Sequence, residues 1–432
     1  MRTLSLIPLL CTAALFAQEP TLSVEEAVTS ALAFQPRLQA AKHQQQAVEA
    51  REQQAAWNRA GTLDTSLTYF PRQKSQLVEL PSFGPGIPAQ SFEMTQARKY
   101  DLTASINQPL WAWGALSRQH ASARKESEAG RMNVDRAHQQ VVFDATRAFC
   151  QASLAIDGVS VARQNLEQQQ EFLRVAAQRV KAGSSARVDE LKAELAVAQA
   201  ESSLSEALNR ERLAREVLAS QTQDSRFRSA GLKALKEDGT DLPDEEEAVA
   251  RALSLRCDLK ALQGQAQALE LSAQAAKASR LPVLSFRATV TQQNDVSSLV
   301  FRKDSQSYSA GLALTWEGVS PFRARARVAE LDAMARSAAQ YHRSGEFSVA
   351  LEVRTALLSV REARERVSVQ QRAAVVAQEQ ARIARLAYRE GTLSAVETQD
   401  AELSLTAARY ALLRAGVDAS LARSSLRLAL GE

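Results

Sequence analysis

Beyond Pro20 the chain has no apolar run long enough to cross a bilayer as a helix, which takes about 20 residues. A helical membrane protein is thereby excluded. A membrane β-barrel is not, because its strands alternate in polarity. Aromatic residues make up only 5% of the 432 positions, while hydrophobic residues make up 45%, much of it alanine. That balance favours long, closely packed helices over a thick aromatic core. Charge of one sign is also missing: 53 basic residues face 49 acidic ones, with no basic or acidic tail. No nucleic-acid partner is indicated. The four histidines, His43, His120, His138 and His342, are scattered without ligand spacing. No phosphate loop, nucleophile elbow or metal cluster appears, so the chain is not read as an enzyme, nor as the holder of a cofactor or metal. Of three cysteines, Cys11 lies in the N-terminal leader, and Cys150 and Cys257 lie far apart in helical sequence. Isolated buried thiols are the plainer reading, with a disulfide open to them in an oxidising compartment.

What is present begins with an export signal. Arg2 precedes an apolar run from Leu4 to Phe16, followed by small and then polar residues. This pattern fits a secretory signal peptide over residues 1–17, cleaved after Ala17.

The remainder is written twice. A shift of 221 residues places Glu26-Ala27-Val28 on Glu247-Ala248-Val249 and Leu38 on Leu259. A shift of 208 places Gly183 on Gly391 and Ala193-Glu194-Leu195 on Ala401-Glu402-Leu403. Internal repetition on this scale marks a duplicated supersecondary unit. Each copy reads helix, strand, loop, strand, long helix, glycine break, helix. The first occupies 18–230 and the second 244–432, and the polar stretch 231–243 connects them. The first copy predicts helices over 22–60, 115–181 and 186–222, with strands over 62–70 and 99–108. The second predicts helices over 244–279, 322–389 and 393–430, with strands over 283–292 and 306–316. Apolar residues in the long helices step by three and four, as at Val188, Leu191, Leu195 and Ala198, a coiled-coil-like seam.

All four strands alternate. Tyr100, Leu102, Ala104 and Ile106 oppose Asp101, Thr103, Ser105 and Asn107, and Leu284, Phe286, Ala288 and Val290 oppose Ser285, Arg287, Thr289 and Thr291. They run nine to eleven residues, the length that a tilted strand needs to span a bilayer. Aromatics such as Tyr69, Tyr100, Trp111, Trp113, Tyr308 and Trp316 gather near the strand ends, as in an interfacial girdle. A half-buried soluble sheet also alternates. The competing reading is therefore a soluble periplasmic coiled-coil scaffold or adaptor-like rod. If the solvent is lipid, open sheet edges cannot be satisfied and a barrel must close. Membrane barrels begin at about eight strands. One chain offers four, so copies must share one barrel, and three copies would supply twelve strands. The Pro- and Gly-rich loop KSQLVELPSFGPGIPAQ would lie outside the cell.

Four motifs, AVTSALAFQPRLQAA, INQPLWAWG, RVKAGSSARVDELKAELA and AYREGTLSAVETQDAEL, resemble in order those of the TolC family of outer-membrane efflux proteins. The resemblance runs over essentially the whole mature chain. It implies a mainly α fold with a small transmembrane β part: a long α-helical barrel standing in the periplasm beneath a β-barrel shared by a homotrimer in the outer membrane. It further implies docking to a periplasmic adaptor and an inner-membrane pump, as the exit duct of tripartite efflux or type I secretion. By register from the glycines, it implies a periplasmic constriction at Glu397 and Asp400 and a latch between Tyr388 and Asp189. The tips Gly183-Ser184 and Gly391-Thr392 would meet the adaptor. Leu393 stands where the family has the latch arginine, which leaves the closing contact to another cation, Arg187 or Arg389. The segment GVSPFRARA also departs from the family pattern. Crowded carboxylates from three chains would attract cations.

Overall fold

The computed structural model describes residues 21–71, 77–80, 90–93, 99–233, 242–295, 306–316 and 321–432. The leader, the acidic connector from 234 to 241 and most of the loop between the first two predicted strands lie outside the described residues. The fold is mainly helical, with α1 (Val24–Phe34), α2 (Pro36–Trp57), α3 (Ala115–Lys181), α4 (Arg187–Thr222), α5 (Glu245–Leu255), α6 (Cys257–Ala278), α7 (Pro321–Glu390) and α8 (Ala395–Leu430). Among the described residues the strands are β1 (Thr62–Phe70), β2 (Leu77–Leu80), β3 (Gln90–Glu93), β4 (Lys99–Trp111), β5 (Val283–Asp295) and β6 (Gln306–Thr315). The predicted elements are found within a few residues, with two departures.

The first departure is a break in each opening helix. Gln35 is extended (φ −64°, ψ 119°) and separates α1 from α2. Pro36 explains it, because its ring disfavours helical geometry in the preceding residue. Arg256 holds the same position after the 221-residue shift and the same geometry (φ −60°, ψ 121°), yet Cys257 follows it. There tertiary contacts substitute for the proline ring. The buried Arg256 guanidinium pairs with Glu352 and reaches the Ala429 carbonyl at 3.4 Å. The second departure is a small antiparallel hairpin, β2 with β3, inside the predicted loop.

Burial repeats along with sequence. Val141, Ala145, Ala148, Phe149 and Ala152 are buried, and so are Val349, Val353, Ala356, Leu357 and Val360, their counterparts 208 residues on. Ala27, Ala31 and Leu38 are buried like Ala248, Ala252 and Leu259. Small residues at these places let long helices approach closely over alanine, so few aromatics are needed.

The chain divides into two compact units, and each draws on both repeats. One comprises Lys42–Asn133 with Asp258–Gly345 and carries the four-stranded sheet, ordered β1-β4-β5-β6 and antiparallel throughout. Its register sorts side chains by face. Leu63, Ile106, Ala288 and Ala310 form one cross-strand row, and Thr65, Ala104, Val290 and Tyr308 form another. Between them on the opposite face lie Asp64, Ser105, Thr289 and Ser309. The apolar face is uncovered: Leu63, Leu67 and Leu314 are each 69% exposed and Tyr308 is 87% exposed. At one end of the sheet, Trp113 donates its indole N–H to Pro282 (2.7 Å) and Trp316 donates to Arg280 (3.1 Å). Both contacts tie the strand ends to the segment entering β5.

The other unit comprises the chain up to Ala41, Val134–Cys257 and Glu346–Glu432. It holds the glycine breaks. One apolar cluster gathers Leu22, Phe149, Leu218 and Phe227 around alanines of α1, α3 and α4. No disulfide joins Cys150 and Cys257. Burial pushes the Cys150 thiol up to about 11, which keeps it protonated and inert.

Candidate functional site

The two glycine breaks are helical hairpin tips of the same construction. Gly183 and Gly391 adopt the left-handed conformation at φ +71° and +83°. The Ser184 amide donates to the Arg179 carbonyl and the Thr392 amide to the Ala387 carbonyl, both at 2.9 Å. The Gly183 and Gly391 amides close the inner turns on Val180 and Tyr388. Each tip is thus a Schellman turn, in which only glycine reverses the chain without strain. Ser184 and Thr392 repeat each other to the hydroxyl, donating to those same carbonyls at 3.1 and 3.0 Å.

The residues beyond the tips are placed as follows. Glu397 belongs to a capping box: Ser394 donates to its carboxylate from N–H and hydroxyl at 3.0 and 2.7 Å, and the Glu397 amide donates back to the Ser394 hydroxyl at 3.3 Å. Those hydrogen bonds hold its carboxyl below the usual carboxylate range. Asp400 is exposed, one turn along the helix, and forms no ion pair with the described residues. Tyr388 is buried and stacks on Phe172, with ring centroids 4.8 Å apart. Burial pushes its phenol up; Arg179 opposes that shift and Asp189 adds to it. The phenol is not hydrogen-bonded to Asp189: its oxygen is buried without a partner, and Asp189 accepts from Ser185. Of the two alternative cations, Arg187 pairs locally with Glu190, while Arg389 lies 3.8 Å from Glu171 of α3. Leu393 packs beside a cluster of Ala377, Ala381, Ala384, Ala401 and Leu405.

Two features here have no counterpart in the sequence expectations. Arg179 reaches across from the first tip to the Tyr388 carbonyl and lies over the Tyr388 ring at 4.8 Å. Glu402 is buried beside a cavity of about 200 Å³ between α3, α7 and α8, which Phe172, Tyr388 and Thr398 also line. It pairs with Arg385 at 2.6 Å. Burial raises its pKa above the ordinary value, and Arg385 and Arg409 offset the rise only in part. Glu167, Glu171 and Arg389 also border the cavity. A raised folded-state pKa means that the folded tip binds the proton more tightly than the unfolded chain. Stability should therefore grow as pH falls through that raised value, and the gain should be complete below the ordinary carboxyl value of 4.5. The melting temperature of wild type relative to Glu402→Gln, followed from pH 7 down to the ordinary carboxyl value of 4.5, should rise as pH falls.

A mainly helical, twice-repeated chain with a two-faced sheet and glycine-tipped helical hairpins has the fold of outer-membrane channel proteins. Residues 27–222 and 248–432 match the outer membrane efflux protein family, and the chain belongs to that family. Solved channels share the fold. The outer-membrane channel OprN is 20% identical, over 94% of this chain and 89% of its own, at a TM-score of 0.79. The CmeC channel of Campylobacter jejuni is 13% identical, over 94% and 85%, at 0.81. The outer membrane protein VceC of Vibrio cholerae is 17% identical, over 94% and 96%, at 0.79. No curated protein sequence matches the chain.

Proposed function

We propose that the protein is a passive exit duct in the outer membrane, serving a tripartite efflux or type I secretion system. The uncovered apolar face of the sheet carries this reading. An exposed apolar surface of that extent calls for a partner, and β1 and β6 leave its two edges open. In lipid such edges must pair. Three copies of the sheet closing edge to edge would place the apolar rows against hydrocarbon and the Asp64–Thr289 row against water. Among the described residues no helix is long and apolar enough to cross a membrane, so the strands are the spanning elements. Residues 1–17 would be removed on export, leaving the two repeats 18–230 and 244–432 joined by 231–243.

In this reading the helical hairpins stand in the periplasm. Gly183-Ser184 and Gly391-Thr392 present paired turns to a periplasmic adaptor, which links the duct to an inner-membrane pump. Glu397, Asp400, Tyr388 and Asp189 surround the closed mouth. Because Glu397 is occupied in its capping box, Asp400 is the freer carboxylate to meet cations there. Purified protein in planar bilayers should form cation-selective pores that multivalent cations block from the periplasmic side. Asp400→Asn should weaken that block, while Glu397→Gln, which can keep the cap, should weaken it less. Recovery of the protein as a salt-soluble monomer would defeat the reading and favour a soluble rod.

A further inference from the structure

We propose that Arg179 is the positioning residue that holds the two hairpin tips together and keeps the mouth closed. The proposal rests on the channel reading above for its functional consequence, although the contact itself does not. Arg179 stands four residues before Gly183, at the end of α3, and its contacts reach both tips. Nη1 donates to the Tyr388 carbonyl in the last turn of α7. The guanidinium lies over the Tyr388 ring, 4.8 Å from its centroid. Nη2 lies 3.5 Å from the Ser184 carbonyl of its own tip. Gly391 leaves room for it, since a Cβ there would sit 3.3 Å from Nη2.

Chemistry favours a guanidinium at this place. The Tyr388 carbonyl already accepts from the Gly391 amide at 3.0 Å, so Arg179 takes up its second lone pair, at the negative end of the helix dipole. A charged donor suits that negative end, and such hydrogen bonds are roughly twice as strong as neutral ones. The planar cation also stacks on the aromatic face. Two other polar contacts near the tips among the described residues are longer: Gln399 to the Lys192 carbonyl at 3.3 Å, and Arg389 to Glu171 at 3.8 Å. Because Arg179 grips the main chain and ring face of Tyr388, the phenol hydroxyl is dispensable to this contact. That hydroxyl is in fact buried without a hydrogen bond.

The test uses the full-length protein with Arg179→Ala, Arg179→Lys and Tyr388→Phe, each confirmed as folded oligomer. Single-channel conductance is measured in planar bilayers. The distance between spin labels at Lys181→Cys and Glu390→Cys is measured in the wild-type and Arg179→Ala backgrounds. Arg179→Ala should raise conductance several-fold and broaden the label distances. Arg179→Lys, which keeps the charge but not the fork, should fall between, and Tyr388→Phe should behave as wild type. Unchanged conductance and distances in Arg179→Ala would overturn the proposal, as would an open mouth in Tyr388→Phe. If folded wild type forms no pore at all, the channel reading fails. The label distances then still decide whether Arg179 joins the tips.

Discussion

Val290→Arg will keep the protein out of the outer membrane, whereas Thr289→Arg, one residue away, will leave it folded and inserted. Neighbours on a strand point to opposite faces, and the register fixes which is which. Val290 shares its row with Thr65, Ala104 and Tyr308, whereas Thr289 shares its row with Asp64, Ser105 and Ser309. An arginine on the lipid face near the bilayer midplane costs about 2–4 kcal/mol. Three copies in one barrel would cost roughly 6–12 kcal/mol, comparable to the whole stability of many proteins. At position 289 the same side chain would reach water and lie in the row of a carboxylate. Electrophoresis of outer-membrane fractions without boiling should show heat-labile oligomers for wild type and Thr289→Arg but not for Val290→Arg. Equal insertion of both variants would mean that the apolar face does not meet hydrocarbon.

The strands were legible because alternation has a period of two and tolerates no slip: one residue of shift would exchange the faces. The long helices were legible from their three-and-four stepping and from the glycines that end them. The helix break at Arg256 was not legible, because no proline announces it. It depends on Glu352 and Ala429, which are distant in sequence. The tips show the same division. Their turns could be read from Gly183 and Gly391, since a left-handed residue at a helix end calls for glycine. Arg179 could not be found that way, because it binds a main-chain carbonyl 209 positions away, and any residue type supplies that acceptor. Glu402 was hidden by the repetition itself. It copies Glu194, which is exposed, while Glu402 is buried against α7 and α3. A repeated sequence transmits the residue but not its surroundings.

Phe149→Ala should be the most damaging single truncation in the helical unit, and its damage should spread differently from that of its repeat counterpart. Phe149 is fully buried and packs with Leu22, Leu218 and Phe227. Removing a buried phenylalanine side chain costs about 3–5 kcal/mol, part of it from the cavity left behind. The alanines around it, Ala27, Ala148, Ala152 and Ala219, have no spare atoms with which to fill such a hole, so little relaxation is expected. Leu22 is also the point where the N-terminal segment pairs with the chain after α4: its amide donates to Gly231 at 2.8 Å, and the Lys233 amide donates to Leu22 at 2.9 Å. Phe149→Ala therefore undermines that pairing from beneath. Leu357→Ala, the same position in the second repeat, removes an equally buried side chain that lies outside this cluster. Hydrogen exchange should show faster exchange of the Leu22 and Lys233 amides in Phe149→Ala and near-native protection there in Leu357→Ala. Loss of protection at those amides in both variants would show that the two repeats unfold as one cooperative unit, with no local role for Phe149 at the start of the chain.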